Sequence, residues 1–123
     1  MTTWITICDT CKHDGWIADG RPTDGETLAG LVERAADGDA TLRTRRVSCL
    51  MGCAHGCNVA IQSEGKLCYT LGRFDATAEA AEAIVGYAVL HASSDTGQVP
   101  YRDWPAGVKG HFVTRHPPLP VTA

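Results

Sequence analysis

Residues Val47–Gly72, VSCLMGCAHGCNVAIQSEGKLCYTLG, join a cysteine-rich loop to a pattern that is typical of a β-hairpin. The segments Asn58–Gln62 and Lys66–Leu71 are short and rich in residues that favour strands, and the Ser-Glu-Gly turn at 63–65 separates them. In the second segment large apolar residues alternate with smaller ones, so we expect one face to pack on a core and Cys68 to point to the other face. The hairpin thus predicts an antiparallel pair.

Two further strands are expected upstream, and each ends at a cysteine loop. The β-branched and aromatic run Thr3–Ile7 predicts a first strand that delivers Cys8 to its end. A second strand is expected over Leu42–Ser48, although several of its positions are arginines, and it leads directly into Cys49. Both cysteine groups are therefore expected in loops that follow strands.

Two amphipathic helices are expected. Thr23 and Glu26 have the spacing of a capping box, and the apolar i, i+3, i+4, i+7 repeat that follows predicts a helix ending at Gly38. A second repeat of the same kind predicts a helix capped by Asp75 and ending near Ser93.

The resulting order is strand, helix, strand, strand, strand, helix, which predicts an α/β domain over residues 1–95 with a mixed sheet flanked by two helices. A helical crossover between the first two strands favours a parallel pair. The last stretch, residues 96–123, contains five of the six prolines and no helical period. We expect it to be an extended Pro-rich tail that runs across the surface or towards a partner.

Composition excludes several classes of protein. A length of 123 residues with 44% hydrophobic residues is typical of one globular domain. The net charge of -3, with only one tight cluster of arginines, predicts no nucleic-acid partner and no anionic membrane partner. There is no apolar run long enough to span a bilayer and no export signal, so we expect a cytoplasmic protein.

The cysteines indicate an inorganic centre. In a reducing compartment stable disulfides are uncommon, and thiolates more often serve as metal ligands or redox catalysts. Five of the six cysteines crowd into two loops, as C-x2-C and as C-x3-C-x3-C. Glycines in the second loop would let its backbone approach an anionic cluster closely. The candidate ligands are Cys8, Cys11, Cys49, Cys53 and Cys57.

The stretch Val47–Gly72 also resembles the second half of the thioredoxin-like 2Fe-2S ferredoxins. In that family two cysteines three residues apart are followed by a Gly-containing turn, an apolar strand, an acidic-Gly turn and a strand with an aromatic residue. The resemblance implies a thioredoxin-like fold and a 2Fe-2S cluster held by Cys8, Cys11, Cys49 and Cys53. The whole chain, down to its closing RHPPLP, is also similar to a family of small, uncharacterised bacterial predicted metal-binding proteins.

Some assignments remain open. The ferredoxin family usually spaces its first pair more widely than C-x2-C and commonly has Pro where this chain has Cys57. Cys57 is therefore open as a replacement for Cys11 as fourth ligand, as a spare thiol that rescues a damaged cluster, or as a residue that packs under the loop. Cys68 is interpreted as a small apolar strand residue. His13 and His55 lie inside the cysteine loops, which leaves a mixed Cys and His site open. The other three histidines, His91, His111 and His116, are interpreted as surface residues.

Three functions follow from these patterns. The first is a ferredoxin, a one-electron carrier that docks with redox partner proteins and has no catalytic residues of its own, so that it is not an enzyme. The second is a protein that binds or delivers zinc or another soft metal, because four thiolates suit zinc equally well. The third is a thiol-disulfide oxidoreductase that uses the C-x2-C pair. The ferredoxins that the chain resembles are often homodimers, so a homodimer is also an open expectation.

Overall fold

The structure of the chain, a computed structural model, describes residues 2–52 and 56–120. Its regular elements in chain order are β1 (Thr3–Cys8), α1 (Asp24–Ala36), β2 (Leu42–Val47), β3 (Val59–Gln62), β4 (Cys68–Leu71), α2 (Ala78–Ser93) and β5 (Phe112–His116). Two short 3-10 turns, Tyr101–Asp103 and Ala106–Val108, lie between α2 and β5.

The strands form one mixed sheet in the order β2-β1-β3-β4-β5. Strands β1 and β2 are parallel, and the pairs β1-β3, β3-β4 and β4-β5 are antiparallel. The predicted α/β class, the parallel first pair and the hairpin are confirmed. Cys8 lies opposite Val47 at the ends of β1 and β2, and Ile7 lies opposite Val59 at the start of β3. The two cysteine loops therefore leave the sheet at the same end of its strands.

Both helices pack against each other and against β1, so they cover the same face of the sheet. The predicted capping box is present, because the Thr23 hydroxyl accepts the Glu26 N–H and the Glu26 carboxylate accepts the Thr23 N–H. Neither helix has the length and apolar character needed to cross a bilayer, and this holds for every helix within the described residues. The core lies between helices and sheet and includes Ile5, Ile7, Leu28, Val32, Ile61, Leu71, Ile84 and Tyr87.

The arginines of β2 are explained by its position at the edge of the sheet. Arg46 faces α1 and forms a bidentate ion pair with Glu33, with contacts of 2.8 and 2.7 Å. Arg45 points to the opposite face, where its Nε donates to the Thr6 hydroxyl at 2.7 Å. Charged side chains on an edge strand also oppose pairing with a second chain.

The start of α2 differs from the prediction. The capping residue is Thr77, whose hydroxyl accepts the N–H of Ala80 at 3.2 Å, whereas Asp75 lies two residues earlier in the preceding loop. Both residue types can cap a helix, so the sequence pattern does not separate them when they stand two residues apart.

The prediction of a separate tail from residue 96 is wrong, because most of this segment packs against the domain. Residues Phe112–His116 form β5 and extend the sheet beyond β4. Val99 and Val108 are buried in the core. The Pro-rich end lies on the surface, with Leu119 91% exposed.

His91 is fully buried, so its interpretation as a surface residue is wrong. Its Nδ1 lies 2.9 Å from the Thr3 hydroxyl, and its Nε2 lies 2.7 Å from the carbonyl of Leu67. The buried ammonium of Lys66 donates to the carbonyls of His91 and Ala92, at 2.9 Å each. This network satisfies the carbonyls at the end of α2 and joins the helix to β1 and to the hairpin.

Candidate metal centre

The loop that carries Cys8 and Cys11 is held by backbone hydrogen bonds to three elements. The N–H of Cys8 donates to the carbonyl of Asn58 at 3.1 Å, and the N–H of Asp9 donates to the end of β2 at the Val47 carbonyl, at 2.9 Å. The carbonyl of Cys11 accepts the N–H of Gly25 in α1 at 2.9 Å. The loop is thus fixed between β2, the start of β3 and the first turn of α1.

Gly25 is required by this close approach. A Cβ atom at residue 25 would collide with the backbone carbonyl of Cys8 and crowd the backbone of Asp9. Because backbone atoms cannot rotate away as a side chain can, only glycine lets α1 begin so close to the loop. The helix therefore supports one cysteine loop directly.

Three of the candidate thiols are buried at the end of the sheet where β1 and β2 finish. Cys8, Cys11 and Cys57 are 2%, 4% and 0% exposed, whereas Cys49 is exposed. The Thr10 hydroxyl lies 3.5 Å from the sulfur of Cys8 and also contacts the carbonyl of Ser48, so it joins the first loop to the second. The structure therefore places cysteines from both loops around one region.

Asn58 connects the two loops. It is 1% exposed, and its amide oxygen accepts a hydrogen bond from the thiol of Cys11 at 3.5 Å. Its amide nitrogen donates to the carbonyl of Gly52 at 2.5 Å. A Cβ on Gly52 would collide with this amide, so the glycine is needed for the contact.

The two thiols of the first loop differ in acidity. Burial raises the pKa of Cys8, but hydrogen bonds with Thr10 and Cys11 and with the backbone of Leu50 and Thr10 outweigh it, so the pKa is lower than usual. Burial raises the pKa of Cys11 to about 12, and its interaction with Cys8 adds to the effect. Cys8 is therefore the more readily ionised member of the pair.

Cys57 is enclosed by the segment that precedes α2. It exchanges two backbone hydrogen bonds of 3.4 Å with Phe74, and its sulfur lies 4.0 Å from Nε2 of His13. The same Nε2 lies 2.9 Å from the carbonyl of Phe74. Burial raises the pKa of Cys57 to about 12, and nearby Asp24 contributes. Metal ligation by Cys11 or Cys57 requires loss of the thiol proton.

The second loop presents its first cysteine to the surface. The sulfur of Cys49 accepts the N–H of Met51 at 3.2 Å. Met51 adopts a backbone φ of 60°, which residues other than glycine rarely adopt. Its side chain is 90% exposed. The turn therefore directs a backbone N–H at a sulfur and leaves an apolar side chain beside it.

The cysteines lie in different settings. Cys8 and Cys11 interact directly, Cys49 lies on the neighbouring loop, and Cys53 lies outside the described residues, as does His55. Cys57 packs beside the first pair, and Cys68 is half-buried in β4. Among residues 2–52 and 56–120, no three His, Cys, Asp or Glu side chains are grouped closely enough to hold a metal ion.

Sequence reasoning missed several residues of this region. Asn58 follows Cys57 and precedes a strand, and nothing in that position predicts its burial. Gly25 carries a detectable signal, because a glycine in the first turn of an otherwise favourable helix suggests a close backbone contact. His111 was interpreted as a surface residue, but it is half-buried and stacks on Phe74 with ring centroids 4.3 Å apart.

The chain was compared with known protein families, curated proteins and solved structures. A family model with the description "Protein of unknown function (DUF1636)" matches residues 5–118. No curated protein and no solved structure matches the chain. Because the matched segment spans most of the 123 residues, the chain belongs to the family described as protein of unknown function, DUF1636.

Proposed function

We propose that this protein is a one-electron carrier of the ferredoxin type, with a 2Fe-2S cluster held by cysteines of its two strand-end loops. The observation that carries the proposal is that both loops lie at the same end of the sheet. Cys8, Cys11 and Cys57 are buried there, and Cys49 lies on the adjoining turn. Such thiols are the usual ligands of an iron-sulfur cluster.

The proposed ligands are Cys8, Cys11, Cys49 and Cys53, with Cys57 as the replacement for Cys11. The donor set fits the group in its chemistry, because the two loops carry five cysteines and thiolate sulfur is a soft ligand. The N–H of Met51 already donates to a ligand sulfur, and such hydrogen bonds stabilise negative charge on a thiolate. A bound 2Fe-2S cluster would take up and release one electron.

The protein's own residues would position and shield the centre. Asn58 and the Thr10 hydroxyl join the two loops, and Gly25 lets α1 support the first one. Burial of Cys8 and Cys57 excludes water on the side of the core. The exposed side chain of Met51 offers an apolar contact for a redox partner beside Cys49. This arrangement supports electron transfer through a docked protein without chemistry by the chain itself.

We also propose that the fold is thioredoxin-like. This proposal is supported by the order β-α-β-β-β-α, the parallel β1-β2 pair and the antiparallel hairpin that follows. Strand β5 would then be an addition at the sheet edge.

One observation favours a second function, a thiol-disulfide oxidoreductase. The first cysteine of the C-x2-C pair has a lowered pKa and the second a raised one, which is the asymmetry expected of a redox dithiol. One feature opposes it. Cys8 is 2% exposed and so cannot readily attack a substrate.

The deciding experiment is anaerobic purification followed by elemental analysis, visible absorbance and electron paramagnetic resonance. The proposal predicts iron and acid-labile sulfide in equal amounts, absorbance that bleaches on reduction, and a paramagnetic signal from the reduced protein. Stoichiometric zinc in a colourless protein would instead support a protein that binds or delivers a soft metal. A metal-free protein that reduces disulfides, and loses this activity on Cys8→Ser, would establish the oxidoreductase.

A further inference from the structure

A cleft of about 470 Å³ lies between β5 and the segment that precedes it, Gln98–Trp104. We call it the β5 cleft. It shares no lining residue with the cysteine loops. Its volume falls within the range of small-molecule sites in proteins, which is roughly 300–1,000 Å³. The cleft is therefore a separate feature of the molecule.

Aromatic rings form the walls of the β5 cleft. Trp104 stacks on Phe112 with centroids 4.4 Å apart and an angle of 25°, and Tyr101 lies 4.9 Å from Trp104. Tyr69 closes the inner side and meets Phe112 edge to face at 5.4 Å. The Trp104 ring is held in place, because its Nε1 donates to the carbonyl of Val99 at 2.9 Å. Rings fixed in this way offer a preformed surface for a flat ligand.

Charge in the cleft has one sign. Arg115 lines it, and none of the described residues that line it is acidic. Within the described residues Arg115 has no ion pair, since those found there join Arg21 to Asp19 and Arg46 to Glu33. A second cation adjoins the wall, with Nζ of Lys109 4.6 Å from the centroid of Tyr101. A cationic ligand would be repelled, whereas a carboxylate could bind the guanidinium in bidentate fashion.

We propose that the β5 cleft binds a planar aromatic small molecule that carries a carboxylate. The ligand ring would lie along the aromatic wall beside Tyr101 and Trp104, because Trp104 and Phe112 already stack on each other, and the carboxylate would pair with Arg115. Tyr69 on β4 is the cross-strand neighbour of Arg115, and both residues line the cleft. This site is independent of the cysteine centre.

The test uses 2-naphthoate as the probe and neutral 2-naphthalenemethanol as its uncharged analogue. Calorimetry measures affinity for the purified protein, and the indole N–H resonance of Trp104 reports the location. Arg115→Gln should weaken 2-naphthoate binding at least tenfold and leave the alcohol unchanged. Arg102→Gln is the matched control, because Arg102 is an exposed arginine on the neighbouring 3-10 turn that does not line the cleft.

The proposal is overturned by any of three results. These are the absence of a saturable shift at Trp104, equal affinities for the acid and the alcohol, and equal effects of the two arginine substitutions. If Arg115→Gln fails to fold, Tyr101→Ala replaces it, since Tyr101 is 62% exposed and contributes one wall. That variant should also bind 2-naphthoate more weakly, and unchanged affinity would reject the site.

Discussion

The amide oxygen of Asn58 lies 3.5 Å from the sulfur of Cys11, and the amide nitrogen of the same side chain donates to the carbonyl of Gly52. One buried side chain thus joins the loop after β1 to the loop after β2. Together with the Thr10 hydroxyl, which contacts the carbonyl of Ser48, Asn58 fixes the distance between the two loops. The bond to Gly52 positions the second loop without itself binding a metal, whereas the bond from Cys11 requires the protonated thiol.

Asn58→Ala should therefore reduce both stability and metal loading. The substitution leaves the Gly52 carbonyl without its donor, and we expect the free energy of unfolding to fall by about 1–3 kcal/mol. Gln62→Ala is the matched control, because it removes a half-buried amide that bonds only the exposed Arg45. Urea denaturation and metal content should be measured for both. Equal losses in the two variants would show that Asn58 has no special role.

Serine substitution at each cysteine tests the ligand set. We expect Cys8→Ser and Cys49→Ser to lose most of the bound iron and sulfide, because a hydroxyl is a poorer ligand for iron-sulfur clusters than a thiolate. Cys68→Ser is the matched control and should retain the full content, since Cys68 lies within β4, away from the loops.

The comparison of Cys11→Ser with Cys57→Ser identifies the fourth ligand. Both thiols are buried beside Cys8, so burial alone does not separate them. The variant that loses the visible absorbance marks the ligand, and the other should keep it. Full retention in both variants would contradict a four-cysteine site that includes either residue.

Much of the fold was predictable from local patterns. The apolar repeat of α1 and its capping box identified the helix, and the crossover through it predicted the parallel pair. Strand β5 could not be found in the same way. It is an edge strand with four of its five residues exposed, and a register shift at Thr70 and Leu71 interrupts its pairing. No apolar alternation results, and the prolines around β5 suggested a tail instead.

The sequence predicted where the cysteine loops leave the sheet but not which residues support them. The strand patterns placed Cys8 and Cys49 at the ends of β1 and β2. The burial of Asn58 arises only when β1, β2 and β3 lie side by side, so it is a property of the sheet and not of any local pattern. The same holds for His91, whose partners Thr3 and Leu67 are distant in sequence.

Gly25→Ala should be markedly more damaging than the same change at Gly30. Both glycines lie in α1, but a Cβ at residue 25 collides with the carbonyl of Cys8 whereas a Cβ at residue 30 meets no atom within 4 Å. We expect Gly25→Ala to lower the free energy of unfolding by about 1–3 kcal/mol, as overpacking against a rigid neighbour does. Gly30→Ala should raise it by up to about 1 kcal/mol through helix propensity. Equal effects in thermal and urea denaturation would exclude the close contact.

Buried His91 should make stability fall as the pH is lowered below about 6.5. Burial lowers its pKa from the ordinary value of 6.5, and the neighbouring Lys66 contributes, so the folded chain holds the imidazole neutral. The unfolded chain then binds more protons than the folded chain between the folded pKa and 6.5, and stability must rise with pH across that window. Urea denaturation at pH 7.5 and pH 5.5 should therefore show a lower free energy of unfolding at the acidic value.

His91→Gln isolates this contribution, since glutamine keeps a donor and an acceptor but does not titrate. The variant is expected to be less stable at neutral pH, because its amide cannot reach both Thr3 and Leu67 as the ring does. Its stability should nevertheless change less between the two pH values than that of the natural chain. Carboxylates with lowered pKa values, such as that of Glu33, lose their contribution to stability at more acidic pH. They are present in both proteins and so do not account for a difference between them. An identical pH dependence in the two proteins would show that His91 is not the group that titrates.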